Sequence, residues 1–364
     1  MSHPDRIRAL FDVTHPAHVH LFKHAIRELQ QAGHETLVTS RQKEVTIDLL
    51  DAYGIDHRPI SVKGTSKLGL ALEWPLREVR LARLARTFEP DVITSHINPA
   101  AAHVARLTGA SSIVFNDEEP GWNLTGRLIR PFASVICTPA GFSRDLGPKQ
   151  HRYDGFHELA YLHPDRFEPD PDRLREAGVD PDERYFVLRF VSWGAHHDVG
   201  QSGLSRAAKR ELVSFLDQHG DVYVSTEGDL PASFAGHELP VPPDAIHHLL
   251  AFADLYVGDS QTMAIEAAVL GTPTIRSNSF AGTGQHGHVE TLDEEYGLVI
   301  STGEEAHAVS RAKELATDPT AAARWETRRD RLLAESVDVT GFMLDRIAEQ
   351  ATGQPHWERV AIDA

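Results

Sequence analysis

The chain has 364 residues, 41% hydrophobic and 24% charged, with a formal net charge of -17 and one cysteine. That length exceeds what a single core usually absorbs, so two domains are expected. The acidic balance excludes a general nucleic-acid binder, and the lone Cys137 excludes an internal disulfide and argues against a thiolate metal site.

IRALFDV (7–13) is a strand-like apolar run; Val19, Phe22, Ile26 and Leu29 then recur at helical spacing until Gly33, and ETLVTS (35–40) is the next strand. Alternation continues through the helix at VTIDLLDAYG, the strand DVITSH, the small-residue helix PAAAHVARLTG, and the strands SSIVFND and SVICTP. Strands alternating with helices over short connections predict a parallel, doubly wound sheet. Between them, Arg77, Arg80, Arg83 and Arg86 recur every three residues beside Leu76, Val79 and Leu84. This basic stripe reads either as a solvated helix face or as a peripheral contact with anionic lipid.

Residues 163–184, HPDRFEPDPDRLREAGVDPDER, interrupt the pattern with four prolines and mixed charges, and mark the domain boundary. Alternation restarts at YFVLRFVS and runs through SRAAKRELVSFLDQHG, DVYVST, DAIHHLLAFA, DLYVGDS and TPTIRS. The expected fold class is α/β, two Rossmann-like doubly wound domains facing across a cleft. Residues 1–165 and 182–330 form the domains, and helices in 331–364 close the fold. No run approaches the roughly 18 uncharged apolar residues of a membrane span, and the opening MSHPDRIRALFDV lacks a signal peptide's apolar core, so a cytoplasmic protein is expected.

Residues 258–275, GDSQTMAIEAAVLGTPTI, carry the most specific signal. A strand runs into a polar turn, then a helix, placing unpaired backbone N–H groups at the carboxyl edge of a sheet, where an anion is favoured. Ser260, Gln261 and Thr262 either cap that helix or bind phosphate. Glu266 lies one turn in, among alanines, and needs a partner; a ribose diol can donate two hydrogen bonds to a carboxylate.

DSQTMAIEAAVLGTP resembles the nucleotide-sugar signature of GT-B glycosyltransferases and of UDP-N-acetylglucosamine 2-epimerases. The resemblance implies that Ser260 and Gln261 line a diphosphate and that Glu266 holds the ribose. From about residue 7 to 350 the chain further resembles family 354 of the domains of unknown function, within the same GT-B group. DVTHPAHVHLFK, VFNDEEP, YDGFHELAYLHP, LRFVSWGAHHDVGQ and GDSQTMAIEAAVLGTP carry that likeness.

Three further loops fall at strand ends. DVTHPAHVH places Thr14, His15 and His18 after the first strand; His18 matches in position the histidine of the glycosyltransferase GGTGGH loop and reads as a base or as a capping residue. His15, His18 and His20 lack the fixed spacing of a metal site, so no metal is expected. SWGAHHDVGQSG brings Arg189, Ser192, Trp193, His196 and His197 towards the donor, with Trp193 suited to stacking on a uracil or sugar face. VFNDEEPGW ends a buried strand with Asn116, Asp117, Glu118 and Glu119, which read as a catalytic acid cluster or as solvated loop charges. Where the epimerase pattern expects an aspartate stands Asn98.

The function these readings imply is a metal-independent GT-B sugar transferase, moving a hexosyl or N-acetylhexosaminyl group from a nucleoside diphosphate sugar. The donor, a UDP-sugar by resemblance, is a substrate and no further cofactor is implied. The catalytic candidates are His18, Asp117 and Glu118, with Thr14, His15, Asn98 and Asn116 on the substrate side and a glycan or lipid-linked acceptor. The alternatives are an epimerase acting on the donor itself and a noncatalytic nucleotide-sugar-binding protein.

Overall fold

The computed structural model describes residues 6–64, 67–119, 122–190, 203–226, 230–279, 281, 287–354, 356 and 357. It divides into two compact units, Met1–Arg166 with Val337–Ala364, and Phe167–Ser336. In the first, chain order is β1 (Arg8–Val13), α1 (Pro16–Gln31), β2 (Glu35–Gln42), α2 (Thr46–Ala52), β3 (His57–Val62), α3 (Lys67–Phe88), β4 (Val92–His96), α4 (Pro99–Thr108) and β5 (Ser111–Phe115). Then come α5 (Trp122–Ile129), β6 (Val135–Pro139), β7 (Gln150–Tyr153) and α6 (Leu159–Leu162). The second holds α7 (Pro171–Glu176), β8 (Tyr185–Phe190), α8 (Arg206–Leu216), β9 (Asp221–Thr226), α9 (Ile246–Phe252), β10 (Leu255–Gly258) and α10 (Gln261–Leu270). It continues with β11 (Thr274–Ser277), α11 (Gly287–Glu290), β12 (Val299–Thr302), α12 (Glu305–Thr317) and α13 (Ala321–Glu335). The last helix, α14 (Val339–Thr352), belongs to the first unit.

Both sheets are parallel throughout. The first has seven strands in the order β3-β2-β1-β4-β5-β6-β7 and the second five, β12-β11-β10-β8-β9. This is an α/β, GT-B-like architecture. The strand order reverses direction between β1 and β4 in one sheet and between β8 and β10 in the other. Loops leaving those strands diverge to opposite faces, which opens a crevice at each carboxyl edge. Right-handed crossovers put α3, α4 and α5 side by side on one face of the first sheet. On the other face α14 packs against α1 and α6. The return of the chain is pinned by Val337 N donating to Asp154 O at 2.8 Å and by Arg166 pairing with Asp338 and Glu28. Among the described residues no helix is long and apolar enough to cross a membrane.

One buried ionic network sits at the first switch point. Asp12, near the end of β1, and Arg77, in α3, are both fully buried, and Arg77 Nη2 donates to Asp12 Oδ1 at 2.5 Å. Thr39 Oγ1 on β2 donates to the same oxygen at 2.6 Å, and Asn98 Nδ2 donates to Asp12 Oδ2. Burial raises the Asp12 carboxyl above its ordinary value, against the opposing pull of Arg77, Thr39 and Asn98. Arg77 therefore leaves the surface stripe expected from the sequence: the helix turns it inward because only there can a guanidinium answer Asp12. Leu84 likewise packs partly buried against the core.

Removing one partner of a buried pair leaves the other charge uncompensated. Arg77→Met is expected to lower stability by about 3–5 kcal/mol in urea unfolding at neutral pH. A raised folded-state carboxyl means that the unfolded chain gives up this proton first as pH rises. The deficit should therefore shrink towards pH ~4, and Asp12→Asn in the Arg77→Met background should recover part of it.

Candidate functional site

The carboxyl edge of the first sheet gathers imidazoles. β1 ends at Val13, and His15 caps α1, its Nδ1 accepting from Ala17 N at 3.2 Å, with Pro16 at the first helical position. One turn on, His18 is buried, and its Nδ1 lies 3.3 Å from both Thr14 N and Thr14 Oγ1. Accepting from a backbone N–H places the neutral ring's proton on Nε2, so His18 presents a donor to this edge. Burial, with His96 and His15 close by, holds its pKa well below 6.5. His20, on the same helix, turns away and stacks on Tyr161.

His96 ends β4, with its ring 4.7 Å from that of His18. Its Nε2 is 2.9 Å from Asp117 Oδ1, just beyond β5, which makes a carboxylate-oriented imidazole. His157 follows β7, 5.4 Å from His96 edge to face, and its Nδ1 bonds to Tyr153 OH. His96, Asp117 and His157 each offer one ligand atom, all within 4.8 Å of one another. A cation there would compete with the His96–Asp117 hydrogen bond.

The other acids of VFNDEEP separate. Glu118 is exposed, its backbone N–H bonded to Asn116 Oδ1 at 2.9 Å, while the buried Glu119 accepts from Ser143 N at 3.0 Å and from Ser143 Oγ. Asn116 is fully buried. Asn98 is occupied structurally: Oδ1 caps α4 by accepting from Ala100 N at 3.0 Å, while Nδ2 donates to Asp12. The first unit thus brings together His18, Thr14, His15 and Asp117, and leaves Glu118 in solvent.

At the carboxyl edge of the second sheet, β10 stops at Gly258. A Cβ there would lie 2.6 Å from Arg189 O, so only glycine lets this strand end pair with β8. Ser260 caps α10, and Gln261 and Thr262 form its first turn, half-buried. Gln261 Nε2 is 2.9 Å from His288 Nε2 on α11. Arg276, on β11 and paired in register with Gly258, is 2% exposed. Its Nη2 reaches Gln261 Oε1 at 3.5 Å and its Nη1 reaches Ser301 Oγ at 3.2 Å. Among the described residues no carboxylate lies within ion-pair distance of it, and burial lowers its pKa to about 10, still cationic at neutral pH.

α10 is buried from Ala264 to Leu270, so Glu266 requires a partner, and it has one inside the protein: Glu266 Oε1 lies 3.0 Å from His247 Nε2 on α9. Arg189 donates to Ser225 Oγ at 2.6 Å. Ser192, Trp193, His196 and His197 lie outside the described residues.

A family model described as "Protein of unknown function (DUF354)" matches residues 7–192, more than half of the chain. The chain belongs to the DUF354 family. An uncharacterized protein of Methanocaldococcus jannaschii is 23% identical over 281 residues, 72% of this DUF354 chain and 80% of the relative. Among solved structures, a Listeria monocytogenes protein assigned to the UDP-N-acetylglucosamine 2-epimerases aligns with TM-score 0.65 and 14% identity, covering 94% of this chain and 96% of that one. The MnaA–UDP complex from S. aureus gives 0.63, 12%, 94% and 96%. The spinosyn forosaminyltransferase SpnP gives 0.60, 16%, 94% and 100%. At these identities the likeness establishes a shared GT-B-like fold.

Sequence reasoning missed His96, His157, Arg276, His288 and His247. The strand-terminal positions of His96 and Arg276 were a usable signal, since a charged or titratable group ending an apolar strand of a parallel sheet faces the binding edge.

The depressed His18 pKa has a measurable consequence. As pH falls below about 6.5 the unfolded chain takes up this proton first, so the stability contributed by the neutral ring is lost towards the lower folded value. Replacing His18 with Gln should flatten the fall of the urea midpoint between about pH 7 and 5. A decline parallel to that of the parent protein would assign the acid sensitivity to other groups.

Proposed function

We propose that this protein is a GT-B-type transferase that moves a sugar from a nucleoside diphosphate donor to an acceptor hydroxyl. The observation that carries the reading is Arg276, a buried guanidinium that makes no ion pair among the described residues, Glu290 and Asp293 acting on it only from beyond contact distance, beside the first turn of a helix at a switch point. A buried cation needs an anion, and the N–H groups of α10 favour the same charge, so a diphosphate suits both. Ser260, Gln261 and Thr262 would line that anion, and Glu266, steadied by His247, would accept from the ribose. The likeness to the MnaA–UDP complex supports a uridine nucleotide.

Asp117 fixes the Nε2 side of His96, which leaves Nδ1 to take a proton. In the proposed reaction the acceptor oxygen bonds to the anomeric carbon and gives its proton to a base, while the bond from that carbon to the diphosphate oxygen breaks. Within the first unit His96 Nδ1 has the chemistry of that base, and within the second Arg276 and the α10 amides have the chemistry to neutralise the leaving diphosphate. His18, protonated on Nε2, donates a hydrogen bond to the sugar. Thr14, His15 and Asn116 line the same edge. Transfer is preferred over epimerisation because Asn98, standing where the epimerase pattern has an acid, is committed to Asp12 and to the α4 cap.

Titration calorimetry with UDP, UDP-N-acetylglucosamine and pyrophosphate tests this. Arg276→Gln is expected to weaken all three by about ten- to a hundredfold, the loss of one charge-assisted contact. Glu266→Gln should weaken the two nucleotides and spare pyrophosphate. Equal binding by parent and Arg276→Gln would sink the reading. Turnover of labelled UDP-N-acetylglucosamine without an acceptor would transfer the assignment to an epimerase or hydrolase.

A further inference from the structure

Among the described residues, every large apolar side chain more than about a third exposed belongs to the first unit. On α3 the core-facing side holds Leu81 and Ala85, while Leu72, Leu76 and Val79 are 59%, 55% and 50% exposed. These three, with Arg83 and Arg86, follow the spacing i, i+4, i+7, i+11, i+14, so they form one straight stripe along the outer face. On α5, Trp122 and Ile129 point inward while Leu124 and Leu128 are 72% and 49% exposed, with Arg127 between them.

The two stripes are linked across α4. His103 Nδ1 lies 3.1 Å from Glu78 on α3, His103 Nε2 lies 3.0 Å from Leu128 O, and the His103 ring packs edge-on against Phe132 at 4.6 Å. The outer surfaces of α3, α4 and α5 are therefore continuous. Their charge is opposite to that of the whole chain: with Arg77 buried against Asp12, the outer faces of these helices still carry the exposed Arg80, Arg83, Arg86, Arg106 and Arg127, within a protein of net charge -17. Of the two glutamates on these helices, Glu73 is buried and bidentate to Arg41, and Glu78 meets His103.

We infer that this face is a docking surface for a membrane rich in anionic lipid. Such a membrane meets both halves of the surface, taking leucine side chains among its acyl chains and arginine heads among its phosphates. A second copy of the chain would set this basic face against itself and meet like charge. The inference rests on exposure and charge in the first unit alone, and stands whether or not a nucleotide binds the second.

Vesicle co-sedimentation of the full chain tests it, with phosphatidylcholine alone and with roughly a third phosphatidylglycerol. Binding is expected only to the anionic vesicles, and about 0.5 M salt should reverse most of it. Replacing Leu76, Val79 and Leu128 together with Gln, and separately Arg83, Arg86 and Arg127 with Gln, should each reduce bound protein at least about fivefold. All six are exposed, so both variants should retain the parent's unfolding temperature. Failure of the parent to sediment with anionic vesicles overturns the inference, as does unchanged binding by both folded variants. Scattering-detected dimers lost in the Leu76/Val79/Leu128 variant would assign the face to self-association instead. Retained nucleotide binding by both variants would separate either outcome from the proposed reaction.

Discussion

A carboxylate with no exposed surface, Asp12, organises the first unit. Ionising it in a low-dielectric interior is unfavourable by several kcal/mol unless charge and hydrogen bonds answer it. The answers come from three other elements: Thr39 on β2, Arg77 on α3 and Asn98 at the α4 cap. Each contact fixes a neighbour of the switch point. Through Asn98 the start of α4 is tied to β1, and at the same edge the rings of His18 and His96 lie 4.7 Å apart.

The two sheets obey the same rule and fill their edges differently. In a parallel sheet the carboxyl ends of the strands at a switch point are where backbone groups and side chains face an opening. The first sheet places imidazoles and Asp117 there, which suits moving a proton. The second places Arg276, Gln261 and the α10 N-terminus there, which suits holding an anion.

The fold was legible because parallel strands buried on both faces read as short apolar runs separated by helices with one apolar stripe, as in IRALFDV, SSIVFND and DLYVG. The helix at 261–270 was legible for the same reason, with Ser260 before it and Gly271 after it in the left-handed conformation. Side-chain pairing was not. Periodicity placed Arg77 with Arg80 and Arg83 on one stripe, but its partner Asp12 lies 65 residues earlier, a distance that local pattern does not encode. Nor did it show that Glu266 among alanines meets His247 from the preceding helix, or that Val337 and Arg166 are the contacts that tie α14 to the first unit. His96 and His157 come together only because β4 and β7 end at one edge.

The asparagine at 98 follows from the same network. Its amide lies in hydrogen-bonding contact with Asp12, whose charge is already answered by one guanidinium. An aspartate there would set a second carboxylate against the first in a buried site with a single cation, and one of the two would be driven to hold a proton. Asparagine keeps the capping oxygen for Ala100 N and supplies a donor where an acid would supply repulsion. The same economy explains His15 and His18 beside it, which burial holds below the ordinary imidazole pKa: neutral rings add hydrogen-bonding capacity to a buried edge without the desolvation penalty of further carboxylates. Asp117 meets His96 at 2.9 Å and keeps a fifth of its side chain in contact with solvent.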